Sequence, residues 1–472
     1  MDIGSIVHGK NSVLYDSSQN SVLYEKLSNT IHAGNRRELE KIQERVEEID
    51  YHPTFETRSL KRKKEGRLGV LLLEVTEQCN LNCSYCIYSK EYPYERDETP
   101  KTMSFETAKK AIDEMIPQSN GNMLIGFYGG EPTLNMNLIR MVMNYARTNF
   151  PSENLTFSMT TNFVNVEKYI PEVVDNNMYV NVSLDGPREI HDRSRRTKTD
   201  KPTYDKILRN LSKLEEYSPG YADSHIFILS TCENPNEIVD IVSYFDVNNY
   251  FVTSINGVDP RGKITPLKKV SSNKSLRLLV DEFRARILRG EDPKILRRCF
   301  DNDLKAMAIK DDRVMPKELM LNGSCYPSKT RLFVDVDGNY HPCERFGPRL
   351  KIGVAGSQVQ EETVDKLIDY FAQIRTPVCS ECWGQRVCTP CLQHAKDPEG
   401  EISLTGFVQS CDRKKSGLLI GLDNYVVLMQ LDKKITGEYI KTINPMFERG
   451  VNIHGRKIQS KKRKQRRCSK IS

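Results

Sequence analysis

Long hydrophobic runs are scarce in this sequence of 472 residues. The most apolar stretch, residues 417–431, contains Asp423 and Asn424 and is shorter than the about 20 residues that cross a membrane as a helix. The opening sequence MDIGSIVHGKN lacks a basic segment followed by an apolar one, which is the pattern of an export signal. We therefore expect a cytoplasmic protein without a membrane span.

The positive charge of the chain is concentrated in one segment. The formal net charge is +7, and residues 456–470 hold nine Lys or Arg side chains and no acidic one, so that the charge falls from +7 to −2 without them. Such a run is typical of a solvated tail, and without aromatic residues it offers no surface on which bases could stack. The alternative is electrostatic contact with an acidic peptide or a nucleic acid, of which the nucleic acid is the less favoured.

The chain contains 13 cysteines, an odd number. Disulfide frameworks belong to secreted proteins, and this sequence shows no export signal. The cysteines therefore predict thiolate ligands in a reducing compartment.

Residues 68–260 alternate between short apolar runs and amphipathic stretches. The runs are LGVLLLEVT, MLIGFYGG, LTFSMTTN, MYVNVSLDG, SHIFILSTC and YFVTSINGV. The stretches between them have helical spacing, as in SFETAKKAIDEMI, which begins at Ser104, a good N-cap. This pattern predicts an α/β fold, in which six parallel strands with helical crossovers form a partial, TIM-like (β/α)6 barrel. The chemistry of such a barrel lies at the carboxyl ends of its strands.

Five regions are predicted along the chain. Residues 1–66 form a small appended module, with a hairpin in SVLYDSSQNSVLY and a charged helix over residues 25–49. Residues 67–315 form the partial barrel, and residues 316–415 form a small Cys-rich domain. A helical segment over residues 416–455 and the basic tail, residues 456–472, complete the chain.

A CxxxCxxC loop follows the first predicted strand of the barrel. Its cysteines are Cys79, Cys83 and Cys86. Three thiolates at this spacing can bind one face of a cubane iron–sulfur cluster and leave the fourth iron open. The alternative is a zinc site, although structural zinc needs four ligands and no fourth Cys or His lies nearby in the sequence.

The sequence CNLNCSYC, including Tyr85 before the last cysteine, resembles the signature of the radical S-adenosylmethionine (SAM) superfamily. The resemblance covers about residues 66–260 and implies a 4Fe-4S cluster whose open iron binds SAM. In that family, reduction of the cluster leads to cleavage of SAM and a 5'-deoxyadenosyl radical, so the cofactor supplies the difficult chemistry.

The same resemblance implies further SAM contacts at the ends of three strands. Gly129, Gly130 and Glu131 match the family element that holds the methionine amino group. The third strand ends in Thr161 and Asn162, with Phe163 where the family has glycine, which leaves the backbone turn there open. On the fourth strand and after it, Ser183 and Arg195 match positions near the nucleoside and the methionine carboxylate.

Seven further cysteines between positions 325 and 411 resemble the SPASM (twitch-type) extension of peptide-modifying radical enzymes, which carries two auxiliary 4Fe-4S clusters. The resemblance implies a four-cysteine group and a three-cysteine group: Cys379, Cys382, Cys388 and Cys411 in the first, and Cys325, Cys343 and Cys391 in the second. Two residues separate Cys388 from Cys391 where the family has three, so it is open whether Cys391 can reach the cluster of the three-cysteine group. Cys299 and Cys232 are the upstream candidates for a fourth ligand of the second group, and an open iron is the alternative. Zinc ribbons remain an alternative for the CxxC pairs.

Among relatives, the sequence is most similar to maturases of ribosomally made, Cys-containing peptides. The resemblance implies a precursor peptide as substrate, a thioether crosslink from cysteine as product, and a reducing partner such as flavodoxin or ferredoxin. The alternative enzyme is an anaerobic sulfatase-maturating, formylglycine-generating enzyme. A non-catalytic iron–sulfur or zinc-organised binding protein is the alternative of another class. For the first 66 residues, both leader-peptide binding by strand addition and a clasp over the barrel's amino-terminal edge stay open.

Overall fold

A computed structural model describes residues 5–17, 20–56, 68–90, 92, 94–119, 121–248, 250–258, 274–291, 295–296, 315, 318–320 and 325–430. The predicted basic tail and two of the cysteines, Cys299 and Cys468, lie outside the described residues. Within them, none of the helices is long and apolar enough to cross a membrane.

Six parallel strands form the barrel sheet, as the alternating pattern predicts. They are β6 (Val70–Thr76), β7 (Asn122–Gly129), β8 (Asn154–Thr161), β9 (Tyr179–Ser183), β10 (Ile226–Cys232) and β11 (Val252–Gly257). Each strand pairs with the next along the chain, and their apolar side chains fill one large core with the flanking helices. Sequential parallel pairing brings the carboxyl ends of all six strands to one edge. The predicted partial barrel is confirmed.

Helices connect these strands. They are α2 (Phe105–Met115), α3 (Met136–Asn149), α4 (Ile170–Asp175), α5 (Arg188–Ser194), α6 (Tyr204–Tyr217), α7 (Tyr221–His225), α8 (Ile238–Val247) and, after β11, α9 (Lys274–Leu288). The predicted N-cap is confirmed, because the Ser104 hydroxyl accepts a hydrogen bond of 3.0 Å from the Thr107 amide. One face of this helix is buried and includes Ala108, Ile112 and Met115.

The Cys-rich region continues the barrel sheet. Strand β13 (Arg331–Val334) pairs in parallel with β6, and the antiparallel strands β14 (Asn339–His341) and β15 (Gly353–Val354) extend the sheet to nine strands. Two long helices follow, α10 (Glu361–Ser380) and α11 (Leu404–Gln430). Since α11 is continuous through residue 415, it joins the Cys-rich region to the segment that follows; the predicted domain boundaries stay predictions.

The N-terminal module is a small α/β unit. Strands β1 (Ile6–His8), β2 (Ser12–Asp16), β3 (Ser21–Glu25) and β4 (Thr30–Gly34) form an antiparallel sheet packed on α1 (Arg36–Glu47), and β5 (Thr54–Glu56) pairs with β12 (Glu318–Met320). The predicted hairpin is confirmed as β2 and β3.

The helix predicted over residues 25–49 is wrong in its first part, since residues 30–34 are a strand. A turn at Asn29, whose φ is 55°, sends the chain back so that Ile31 lies opposite Tyr24. The helix begins only after Asn35, whose side chain accepts a hydrogen bond from the Arg37 amide. Pairing with β3 outweighs the helical pattern because a cross-strand partner is available.

Candidate functional site: a cysteine loop and two cysteine groups

The CxxxCxxC loop leaves the carboxyl end of β6 and is fastened to the chain that follows β9. The amides of Asn82 and Ser84 donate to the carbonyls of Arg196 and Ser194, at 2.8 and 3.2 Å. The loop is therefore placed at the mouth of the barrel, where the sequence predicts the chemistry.

The three thiols of this loop suit a cationic metal centre. Burial raises the pKa of Cys79 to about 12 and of Cys83 to about 11, and it also raises the pKa of Cys86. Iron bound to these sulfurs would supply the positive charge that stabilises the thiolate forms. Soft sulfur donors, shielded from water at one loop, fit an iron–sulfur cluster.

The two glycines at the carboxyl end of β7, Gly129 and Gly130, lie against the backbone of the cysteine loop. A Cβ atom on Gly129 would stand 2.1 Å from the Thr76 carbonyl oxygen, and one on Gly130 would stand 2.2 Å from that of Gln78. The amides of Gly130 and Glu131 donate to the same two carbonyls, each at 2.8 Å. In this structure the absence of side chains permits a close approach of two backbone segments, which places the Cys79 end of the loop.

Glu131 is completely buried and joins the ends of β7 and β8. Its Oε1 accepts hydrogen bonds from the Thr161 hydroxyl at 2.6 Å and from the Thr133 hydroxyl and amide at 2.7 and 3.1 Å. Its Oε2 accepts from the Asn162 amide at 2.7 Å. The carboxylate thus accepts four hydrogen bonds, three at Oε1 and one at Oε2, which is about the number that a carboxylate can accept. Its contact with SAM stays a prediction.

Phe163 adopts the turn that the family makes with glycine. Its φ is 62°, a left-handed conformation that is rare for a bulky residue, and its ring is fully buried. The Thr161 hydroxyl accepts from the Phe163 amide at 3.0 Å, and the Asn210 side chain donates to the Phe163 carbonyl at 2.8 Å. The substitution thus preserves the turn at the cost of backbone strain.

Asn162 follows β8 and contacts the cysteine loop directly. Its side-chain nitrogen donates to Asn80 Oδ1 at 2.7 Å and lies 3.9 Å from Cys79 Sγ. The structure therefore brings this predicted site residue beside the first cysteine. Ser183, by contrast, is the last residue of β9 and pairs in register with Leu229.

Asp185 is a site residue that the sequence reasoning did not select. It is buried, and its Oδ2 accepts from the Tyr85 hydroxyl and, at 2.9 Å, from Arg195 Nε. The Arg195 guanidinium lies 5.3 Å from the centre of the Tyr85 ring, and its positive charge favours the thiolate form of Cys83. Two predicted site residues, Tyr85 and Arg195, thus meet at the Asp185 carboxylate next to the cysteine loop. The SLDGP motif, which contains Asp185, was the sequence signal that could have identified this residue.

The four-cysteine group lines one pocket. Cys379 and Cys382 come from the end of α10 and the turn after it, Cys388 from the next loop, and Cys411 from α11. Arg375, Lys414 and Lys415 also line this pocket. Burial raises the pKa of Cys388 and of Cys411 to about 12. A ring of four thiols with positive groups around it fits an anionic iron–sulfur cluster.

The three-cysteine group is also brought together. The Cys325 and Cys391 thiols lie close enough to interact with each other, and Cys343 lies close enough to interact electrostatically with both. Cys391 caps a short 3-10 helix, since its amide donates to His394 Nδ1 at 2.9 Å. The shorter spacing after Cys388 therefore does not prevent Cys391 from reaching the other two.

Cys232 lies apart from these groups. It is the last residue of β10, is buried, and its thiol donates to the Asn234 carbonyl at 3.2 Å. Across the described parts of the chain, no set of three or more His, Cys, Asp or Glu side chains converges closely enough to hold a single metal ion. In a 4Fe-4S cluster each thiolate binds a different iron, so its ligands stand further apart than those of one ion.

A buried ion pair connects the cysteine loop to the Cys-rich region, and sequence reasoning missed it. Arg96 donates to Glu74 of β6 at 2.8 Å and to the Phe346 carbonyl at 2.7 Å, and its guanidinium lies 3.9 Å from the centre of the Phe333 ring. Phe346 follows Cys343 by three residues. Arg96 therefore holds the Cys343 loop against the first strand of the barrel.

Comparison with known proteins agrees with this geometry. Residues 73–245 match the Radical SAM superfamily. This part of the chain is a radical SAM domain. The protein is an enzyme, and the superfamily that this domain matches binds a 4Fe-4S cluster and SAM. The matched residues include the cysteine loop, the two glycines that pack against it, Gly129 and Gly130, and Arg195.

Relatives differ in how much of their own length the chain matches. An uncharacterized protein of Methanocaldococcus jannaschii is 38% identical over 28% of the chain and 44% of its own length, so the match spans less than half of that relative. A cysteine-type anaerobic sulfatase-maturating enzyme of Clostridium perfringens is 24% identical over 71% of the chain and 92% of its own length. The solved structure of native anSMEcpe with bound AdoMet and Cp18Cys peptide is 20% identical, with a TM-score of 0.57 over 77% of the chain and 99% of that structure. At that identity the structural likeness is one of fold.

Proposed function

We propose that the protein is a maturase that uses SAM to oxidise a cysteine-containing peptide or protein. The observation that carries the proposal is that the CxxxCxxC loop and the strands of the Cys-rich region belong to one continuous sheet. The CxxxCxxC loop lies at the end of β6, and β13 of the Cys-rich region pairs with that same strand. Bound SAM would supply a radical that removes hydrogen from an unactivated carbon.

Oxidation also requires a place for the electron that the substrate radical releases. The two further cysteine groups would hold clusters that accept it, because iron–sulfur clusters transfer single electrons. The chain's own residues keep these sites in place: Arg96 holds the Cys343 loop, and the α10–α11 region surrounds the four-cysteine group. A reducing protein such as flavodoxin or ferredoxin would serve as the electron donor for the first site.

Oxidation of the cysteine itself is the reaction best supported. The relatives named as cysteine-type sulfatase-maturating enzymes align with the chain over 89–94% of their own length. The peptide in the anSMEcpe structure supports a peptide or protein substrate. Under this proposal the thiol-bearing carbon loses two electrons and two protons to become a thioaldehyde, and water then displaces the sulfur as hydrogen sulfide to leave the aldehyde of formylglycine.

A thioether crosslink is the second candidate, and the three-cysteine group favours it. A cluster with three protein thiolates leaves an iron to which a substrate thiolate could bind. Cys299, the upstream candidate for a fourth ligand, lies outside the described residues. Mass spectrometry of the peptide product separates the two reactions, because a crosslink removes about 2 Da and conversion of cysteine to formylglycine about 18 Da.

The radical SAM assignment of the cysteine loop is tested by replacing Cys79, Cys83 and Cys86 together with Ala. We expect anaerobically reconstituted variant protein to form no 5'-deoxyadenosine from SAM, because the iron that binds SAM has lost its ligands. Iron bound by the C-terminal groups should remain, and chromatography and iron analysis measure the two quantities. The matched control is Cys232→Ala, which should retain both. Continued 5'-deoxyadenosine formation by the triple variant would refute the assignment.

A further inference from the structure

A lysine of the N-terminal module is completely buried beside the four-cysteine group. Lys26 has no exposed surface, and its Nζ donates a hydrogen bond of 2.9 Å to the carbonyl oxygen of Ser380. Ser380 is the residue directly after Cys379. An ammonium group removed from water is costly unless a negative charge lies near it, so this position demands an electrostatic reason.

The negative groups around Lys26 identify that reason. Burial lowers the pKa of Lys26, Lys10 adds to that effect, and the electrostatic attraction of Cys382, Glu381 and Glu47, in decreasing order, opposes it. The remaining neighbour is the Tyr51 ring, whose centre lies 5.5 Å from Nζ. The strongest attraction therefore comes from a member of the four-cysteine group.

The module also holds the chain that follows Cys382. Trp383 Nε1 donates to His8 Nδ1 at 3.0 Å, and Arg386 donates to the carbonyls of Lys26 and Leu27 at 3.3 and 3.2 Å. Tyr24 packs edge-on against the Trp383 ring. These contacts hold the chain after Cys382 against the module, because Lys26, Tyr24 and Trp383 are buried and tightly packed.

We infer that Lys26 raises the reduction potential of the iron–sulfur cluster held by Cys379, Cys382, Cys388 and Cys411. The inference rests on the proposed function, which assigns a cluster to this group. A cluster with four thiolates gains one negative charge when it accepts an electron. A buried positive charge nearby stabilises the reduced form, and burial leaves that interaction poorly screened by salt. The module thus takes part in electron acceptance by the enzyme.

The inference is tested on the full-length, anaerobically reconstituted protein by redox titration followed by electron paramagnetic resonance. Lys26→Met should shift the midpoint potential of one cluster to a more negative value, with unchanged iron content. Lys26→Gln keeps a donor for the Ser380 carbonyl but lacks the charge, and should shift the potential in the same direction. Lys26→Arg keeps the charge and should restore the potential. The matched control is Lys41→Met, which removes an exposed charge from α1 of the same module and should leave every potential unchanged.

Each outcome has a separate meaning. Unchanged potentials in both neutral variants at full iron content would overturn the inference, and so would an equal shift in Lys26→Arg. Failure of the proposed function is recognised differently: replacing Cys379 and Cys382 by Ala would then cause no loss of iron. If Lys26→Met does not fold, Lys26→Gln against Lys26→Arg still decides the question.

Discussion

Single residues at the barrel mouth serve to join neighbouring strand ends. Glu131 binds β7 to β8, Asn162 binds β8 to the cysteine loop, and Asp185 orients Arg195 and Tyr85. Each of these groups is buried. If one of them were removed, its polar partner would have neither that hydrogen bond nor water to replace it, which costs free energy. The site is thus rigid before any cofactor binds, which favours exact placement of the first cluster's ligands.

Phe163 allows the backbone strain of this site to be measured. Phe163→Ala and Phe163→Gly both lose the buried ring, at a cost of about 3–5 kcal/mol. Glycine has no penalty at a φ of 62°, so Phe163→Gly should be more stable than Phe163→Ala by about 1 kcal/mol. Anaerobic denaturant unfolding measures the difference. Equal stability of the two variants would contradict a strained turn.

Among the secondary-structure elements, β6 has the central position. It carries the cysteine loop at its carboxyl end, pairs with β7 on one side and with β13 on the other, and contributes Glu74 to the buried ion pair with Arg96. The radical SAM domain and the Cys-rich region are therefore held at one register. A shift between them would break hydrogen bonds along the whole strand.

Breaking the ion pair should loosen this junction. Arg96→Met leaves the Glu74 carboxylate buried without its cation, which should lower the free energy of unfolding by about 3–5 kcal/mol. The double variant Arg96→Met with Glu74→Met removes both charges and should recover a large part of that loss. A double-mutant cycle by denaturant unfolding measures the coupling. Additive effects of the two single replacements would show that the pair does not act as a unit.

The whole molecule has its cysteine groups where the regions meet. Cys343, Cys379 and Cys411 pack against a small core that includes Phe371 and Phe407. The N-terminal module closes the other side of the four-cysteine group through Trp383. Cofactor binding and packing of these regions should therefore be coupled, because bound clusters stabilise only the folded form.

Removal of iron should loosen the regions selectively. After anaerobic chelation, hydrogen exchange should accelerate in α10, α11 and β2–β3, since these elements enclose the four-cysteine group. The buried strands β7 and β8 should keep their protection, because their core lies within the barrel. Mass spectrometry of proteolytic fragments measures both. Equal acceleration everywhere would contradict a local role of the clusters, and no change would contradict their structural role.

The sequence alone predicts the six strands, the Ser104 cap and the cysteine loop with its SAM signature. These features are local: apolar alternation, capping chemistry and ligand spacing are written in neighbouring residues. The sequence also indicates which cysteines belong together, through resemblance to a known extension. It fails where partners are distant, as in the strand at Thr30–Gly34, which forms because β3 lies beside it.

Tertiary structure decided the rest. Arg96 and Lys26 have no local pattern that distinguishes them from surface charges, and each acquires its role from a partner far along the chain, 354 positions away for Lys26 and Ser380. Asp185 lies in the SLDGP motif, but only the fold brings the Tyr85 hydroxyl to it. Burial is what makes these charges matter, and burial depends on how β6, β13 and the N-terminal module pack together. Short-range chemistry thus determined what the barrel mouth can bind, whereas long-range packing determined which charges surround the cysteines, because electrostatic interactions are strong only where the fold excludes water.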